Sequence, residues 1–179
     1  RSKLAKGADT LAQAVVSTLG PRSRNVAIAL KGRFPWVIHD GVNVARSIFL
    51  KDQHEAMGAD LLKEAASKTN DMAGDGTTTA TLIANFLLQE GLKLTGTDPD
   101  GEVAISRINP MQLKEELDVQ ADAVCDLIDK QSIKLKKKDI KKIAQISSNS
   151  EEISTIVQKV IDKVGTDGLV MIEPSSTFE

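Results

Sequence analysis

Apolar residues recur at helical spacing through most of the chain. Over residues 8–19, Leu11, Val15, Val16 and Leu19 fall on one helical stripe. Gly20-Pro21 ends that helix, because glycine can cap a C-terminus and proline cannot continue one. Residues 25–30 and 35–39 are short strand-like runs around a Lys31-Gly32-Arg33 turn, which predicts a hairpin. Asp40-Gly41 is a turn or a helix start, followed by a short helix near 42–49. A long helix is predicted over 53–73, with Met57, Leu61, Leu62, Ala65 and Met72 as its apolar positions. Gly74-Asp75-Gly76 interrupts it. The next helix, roughly 77–93, directs Leu82, Ile83, Phe86, Leu87 and Leu92 inward.

Residues 94–109 form a loop with turn chemistry at Asp98-Pro99-Asp100-Gly101. Pro110 suits the first position of a helix running to about Gln131. Lys134, Lys136, Lys137, Lys138, Lys141 and Lys142 make a solvated linker and helix face. Helices are predicted over 139–146 and 151–164, a turn at 165–168 and a strand at 169–173. That last strand either pairs upstream or belongs with chain that would follow it. The fold class is mainly α, with one small β-hairpin.

Composition narrows the function. The chain has 179 residues, about one domain or slightly more at roughly 150 residues per domain. Its net charge is −2, which gives no global field for nucleic acid or an anionic membrane. Aromatic residues are 3%, too few for base-stacking platforms, so the core is aliphatic and alanine-rich. No apolar run approaches the roughly 18 residues of a membrane span. The single Cys125 excludes an intrachain disulfide and a multi-cysteine zinc site.

The most informative chemistry is Gly74-Asp75-Gly76-Thr77-Thr78-Thr79. A helix start offers unpaired N–H groups and the positive end of the helix dipole, both favourable to an anion. The glycines admit close backbone approach and Asp75 is a hard oxygen ligand suited to Mg²⁺. The plainer alternative is an aspartate cap with ordinary first-turn threonines. Neither a Walker A lysine nor a G-x-G-x-x-G loop is present. Thr18-Leu19-Gly20-Pro21, a helix stop with a hydroxyl, and His39-Asp40-Gly41, a turn carboxylate after a strand, are secondary candidates. His54-Glu55 lacks the second histidine of a zinc helix, and Asp98–Glu102 lacks the spacing of a calcium loop.

Together these stretches resemble the group I chaperonins, the ring-forming folding chaperones of bacteria and organelles. The matching segments are TLGPRSRNV (18–26), DGVNVAR (40–46), MGADLLKEAASKTNDMAGDGTTTAT (57–81), QEGLK (89–93), NPM (109–111) and DKVGTDGLVMIE (162–173). The resemblance implies an equatorial-domain helical bundle over 1–134 and the first strip of an α/β intermediate domain over 135–179. The apical domain and the later equatorial segment would follow, so the chain is expected to be an incomplete unit with an open apolar face and a partial nucleotide site. By motif, Thr18, Leu19, Gly20 and Pro21 would line ATP or ADP, and Asp75 would hold Mg²⁺. Gly76, Thr77, Thr78 and Thr79 would contact phosphates, and the catalytic Asp40 would sit near the γ-phosphate and attacking water.

The implied function is ATP hydrolysis that drives encapsulation and release of unfolded polypeptides. The alternative is a non-catalytic scaffold subunit. Implied partners are further copies in a ring, heptameric and single or double, together with a lid co-chaperonin; K⁺ is a further implied ion. The expected location is bacterial or virus-infected cytoplasm, or an organellar matrix. His39 replaces a common lysine, the 94–108 loop is longer, Lys136-Lys137-Lys138 replaces a hinge where proline is common, and 145–149 is shorter than its family counterpart. These departures suit a viral or specialised paralogue.

Overall fold

The computed structural model describes residues 1–20, 23–29, 32, 34–96, 108–165 and 168–173. They fall into two compact units, Arg1–Gln120 and Ala121–Glu179. In the first unit, α1 (Ser2–Val16) buries Ala5, Ala8, Leu11, Ala12 and Val15, spaced three and four apart as one helical face requires. It begins six residues before the predicted start. The early turns are held from outside: Lys3 pairs with Asp52 at 2.6 Å and Lys6 with Glu55 at 2.8 Å. Val16 and Leu19, expected on the apolar stripe, are about half exposed, because the helix gives way to a turn at Ser17.

Strands β1 (Val26–Ile28) and β2 (Trp36–Ile38) form the predicted hairpin, with Val26 opposite Ile38 and Ile28 opposite Trp36. Helix α2 (Gly41–Arg46) follows, then α3 (Gln53–Ala73) and α4 (Thr77–Leu94). Asp52 caps α3, accepting from the N–H groups of His54 and Glu55 at 2.9 and 3.3 Å. Gly74 closes α3 at φ 71°, a left-handed conformation that favours glycine.

The core is built by small residues. A Cβ at Gly7 would overlap the carbonyl oxygen of Glu55, and one at Gly58 would overlap that of Leu4. The backbones of α1 and α3 therefore touch, and Ala8, Ala12, Ala59, Leu11, Val15, Val44, Ala45 and Leu62 close around the contact. This corrects the predicted inward face of α3. Leu62 is buried, but Met57, Leu61 and Met72 are 56%, 56% and 89% exposed. Close backbone approach selects the Gly58, Ala59, Leu62, Ala66 face and turns the larger side chains away. On α4, Leu82 and Leu88 pack against the core, while Ile83, Phe86 and Leu87 lie on an open face.

Helix α4 runs antiparallel to α1 and is tied to it by polar rungs. Gln89 Nε2 donates to the Ala5 carbonyl at 2.9 Å and Asn85 Nδ2 to Asp9 at 3.2 Å. The predicted turn at 98–101 lies outside the described residues. Helix α5 (Pro110–Gln131) starts at the predicted proline, and Asn109 Oδ1 accepts from the N–H of Met111. It buries none of its residues.

In the second unit, a short 3₁₀ turn at Lys137–Asp139 leads into α6 (Ile140–Ser148), which pairs with α7 (Glu151–Val164). Asn149 makes the tight connection at φ 51°, and Ser150 caps α7 through the N–H of Ile153. Leu135, Ile140, Ile143, Ile153, Val157 and Ile161 line an apolar groove of about 410 Å³ between the two helices. The strand predicted at 169–173 does not form. A strand needs a hydrogen-bonded neighbour, the described residues provide none for it, and Leu169 and Ile172 stand 88% and 94% exposed.

Candidate functional site

Three helix ends meet in the first unit. At the C-terminal end of α1, the Val15 carbonyl accepts from the Thr18 N–H at 3.0 Å and from Thr18 Oγ1 at 2.7 Å. Gly20 then turns the chain at φ 81°. At the start of α2, Asp40 is the cap and Gly41 is buried. At the start of α4, Gly76 takes φ 79°, and no side chain caps the helix. Thr77 is buried, Thr78 half-buried and Thr79 exposed.

These ends are joined by one contact set. Thr18 Oγ1 lies 3.0 Å from Thr78 Oγ1, across 60 residues of sequence. Gly41 sits against both: a Cβ there would overlap the Thr78 hydroxyl and lie 3.4 Å from Thr18 Oγ1. The hydroxyl protons can be assigned. Thr18 has one and gives it to the Val15 carbonyl, so Thr78 donates in the Thr18–Thr78 bond. Thr78 thus has no hydroxyl proton left for a ligand while this clasp is closed. Thr77 supports the helix start from inside, its carbonyl accepting from the fully buried Thr81 hydroxyl at 2.8 Å.

Asp75 stands exposed between the two left-handed glycines. Its Oδ1 accepts from the Gly76 N–H at 2.7 Å. Asp40 is half-buried, and its Oδ2 accepts from the Asn43 N–H at 3.1 Å and from Asn43 Nδ2 at 2.7 Å. Of the sequence candidates, Thr18, Asp40-Gly41 and Thr77–Thr79 are therefore brought together. Leu19, Gly20, Asp75 and Gly76 flank them as exposed chain, and Pro21 lies outside the described residues. Asn43 was missed. Its signal is legible afterwards: an amide three residues past a capping aspartate, the spacing at which a side chain reaches back to the cap.

The arrangement suits a phosphorylated ligand with a hard cation. It offers the uncapped N–H groups of an 18-residue helix, a neighbouring carboxylate and the exposed Thr79 hydroxyl. Among the described residues no three His, Cys, Asp or Glu side chains cluster as a complete metal site. A cation here would thus depend on Asp75 together with ligand oxygens and water, a pattern natural for Mg²⁺.

A mainly helical unit with a small hairpin, whose glycine-bracketed aspartate opens a helix beside two other helix ends, is a chaperonin equatorial-domain fold. Solved structures share it. The chaperonin gp146 from the bacteriophage EL 2 (Pseudomonas aeruginosa), crystallised in the presence of ATP-BeFx, superposes with a TM-score of 0.71 at 24% identity, covering 93% of this chain and 28% of that one. A second crystal form of gp146 gives 0.69 at the same identity and coverage. The model of the TCP-1/cpn60 chaperonin family matches residues 11–173, and the chain belongs to that family. It spans 28% of the length of the phage chaperonin.

Proposed function

We propose that the chain is the nucleotide-binding part of a ring-forming chaperonin subunit that hydrolyses Mg·ATP to drive binding and release of unfolded polypeptides. The observation that carries this is the meeting of Thr18, Asp40-Gly41 and Thr77–Thr79 at one place, although they come from three separate stretches of sequence. Crystallisation of the similarly folded phage chaperonin with ATP-BeFx supports the nucleotide. In this reading, residues 1–134 are the equatorial portion and 135–179 enter the intermediate domain.

The first-turn N–H groups of α4 bind phosphate oxygens, with the helix dipole favouring their negative charge. Asp75 holds the Mg²⁺, which when bound neutralises charge on the phosphates. Gly76 lets the backbone approach closely, and the Thr79 hydroxyl adds a donor. Leu19, Gly20 and Pro21 line the nucleotide, as the family motif implies. Asp40 accepts a hydrogen bond from the attacking water, orienting it and favouring its loss of a proton.

Two variants of the full-length protein test this. Asp75→Ala should weaken Mg²⁺-dependent ATP binding by about 1–3 kcal/mol, the scale of a lost charged interaction. Asp40→Ala should slow hydrolysis more than it weakens binding, because its contact is made chiefly in the transition state. Unchanged Mg·ATP affinity in the first variant, or equal losses in the second, would sink the assignment.

A further inference from the structure

We propose that Asn43 is a positioning residue for Asp40: its side-chain amide fixes one carboxylate oxygen so that the other is held ready to accept a hydrogen bond. This rests on the nucleotide reading above and gives a role to a residue that the DGVNVAR segment contains but to which the sequence assigned none.

Both hydrogen bonds from Asn43 end on the same oxygen, Asp40 Oδ2. The bond from the backbone N–H, at 3.1 Å, is an ordinary helix cap and any residue but proline at position 43 would provide it. The bond from Nδ2 is shorter, at 2.7 Å, and requires a side-chain donor of this length. A single bond to Oδ2 would leave the carboxylate free to swing about its terminal torsion, which is broad for aspartate. Two donors on the one oxygen restrict that swing. Asp40 Oδ1 then has no hydrogen-bond partner among the described residues.

Location gives this consequence. Gly41, the next residue, is pressed against the Thr78 and Thr18 hydroxyls, so Asp40 adjoins the start of α4. A carboxylate that orients water must keep one oxygen both free and still, since small misplacements of a reacting group cost large factors in rate. The half-buried Asn43 supplies the stillness without occupying the free oxygen.

A merely structural role makes a different prediction. Asn43→Ala keeps the backbone N–H that caps α2 and loses only the Nδ2 donor. If Asn43 only supported α2, this variant would lose stability and retain its kcat. As a positioning residue it frees the Asp40 carboxylate to swing, and in the full-length protein kcat for ATP should fall at least tenfold while KM changes less than threefold.

A double-mutant cycle asks whether the effect passes through Asp40. In an Asp40→Ala background, Asn43→Ala should produce no further loss of kcat. The proposal is overturned if Asn43→Ala keeps its kcat in a parent that hydrolyses ATP, or if the Asn43→Ala loss persists in full without Asp40. A parent protein that fails to bind Mg·ATP would overturn the nucleotide reading itself, and Asn43's role with it; that result is read on the parent alone and is distinct from the others.

Discussion

Thr78→Val tests whether the middle threonine of the α4 start serves the fold or the ligand. Valine keeps the branched shape and has nearly the same helix propensity as threonine, so the substitution chiefly removes one hydroxyl. In the structure that hydroxyl donates to Thr18 Oγ1 at 3.0 Å. Thr18 is 9% exposed, so water cannot readily replace the lost donor. The lost bond should cost about 0.5–1.5 kcal/mol, toward the upper end because its acceptor is buried. With a urea dependence of roughly 2 kcal/mol per molar, a loss of about 1 kcal/mol lowers the unfolding midpoint by about 0.5 M. Thr18→Val and the double variant complete a cycle whose coupling energy isolates the clasp from the Thr18–Val15 bond. Nucleotide affinity should fall less than about threefold, since the Thr78 proton is already committed to Thr18. Thr79→Val should do the reverse, weakening nucleotide and leaving stability alone, because Thr79 is exposed and its hydroxyl has no partner among the described residues. A Thr78→Val protein with parental stability and tenfold weaker ATP binding would refute the proton assignment.

Gly7→Ala and Gly58→Ala should each destabilise the fold despite alanine's better helix propensity of about 1 kcal/mol, because each new Cβ meets backbone that cannot rotate away. Thermal melts showing either variant as stable as the parent would mean that α1 and α3 separate without cost. A third expectation concerns acid. The Lys3 ammonium and the N–H groups of His54 and Glu55 hold the Asp52 carboxyl down to about 2, against an ordinary 3.8. A lowered carboxylate pKa stabilises the fold above the unfolded value, and that stability is lost as pH falls from 3.8 through about 2. Asp52→Asn retains a capping side chain and removes the charge. Its stability deficit should be constant at neutral pH and shrink across that window; a deficit unchanged at pH 2, roughly the folded pKa, would contradict the ion pair as its cause.

Element borders were legible where one residue type has a local physical constraint. Gly74 in the left-handed conformation stops α3 and Pro110 starts α5, so α3 occupies the predicted 53–73 and α5 begins at its proline, whereas α1 ends at Val16, short of the predicted stop at Gly20. Inward faces were less legible. Hydropathy ranks Met57 and Leu61 above Gly58 and Ala59, but backbone contact between α1 and α3 reverses the order. The start of α1 was misjudged because its first turns are held by Asp52 and Glu55, each 49 residues away. Residues 169–173 have strand composition, yet strand formation is a property of pairs. For the site, each helix end was visible separately. Their meeting depends on long-range packing, and the Asn43 amide gains meaning only once Oδ2 is seen to accept twice.

That meeting follows from how α1 and α4 are matched. Ala5 with Gln89, Asp9 with Asn85 and Thr18 with Thr78 are rungs of one antiparallel register. The register sets the last turn of α1 beside the first turn of α4. The two helix dipoles then present opposite ends to one another, which favours the packing. It has a second effect on any bound anion. The N-terminus of α4 attracts a phosphate, whereas the carbonyl end of α1 nearby repels it. Thr18 reduces that repulsion by donating both its N–H and its hydroxyl to the Val15 carbonyl. In the proposed nucleotide site a cation brought with the ligand would offset the remaining repulsion, and the exposed carboxylate of Asp75, two residues ahead of α4, is where this chain would receive it.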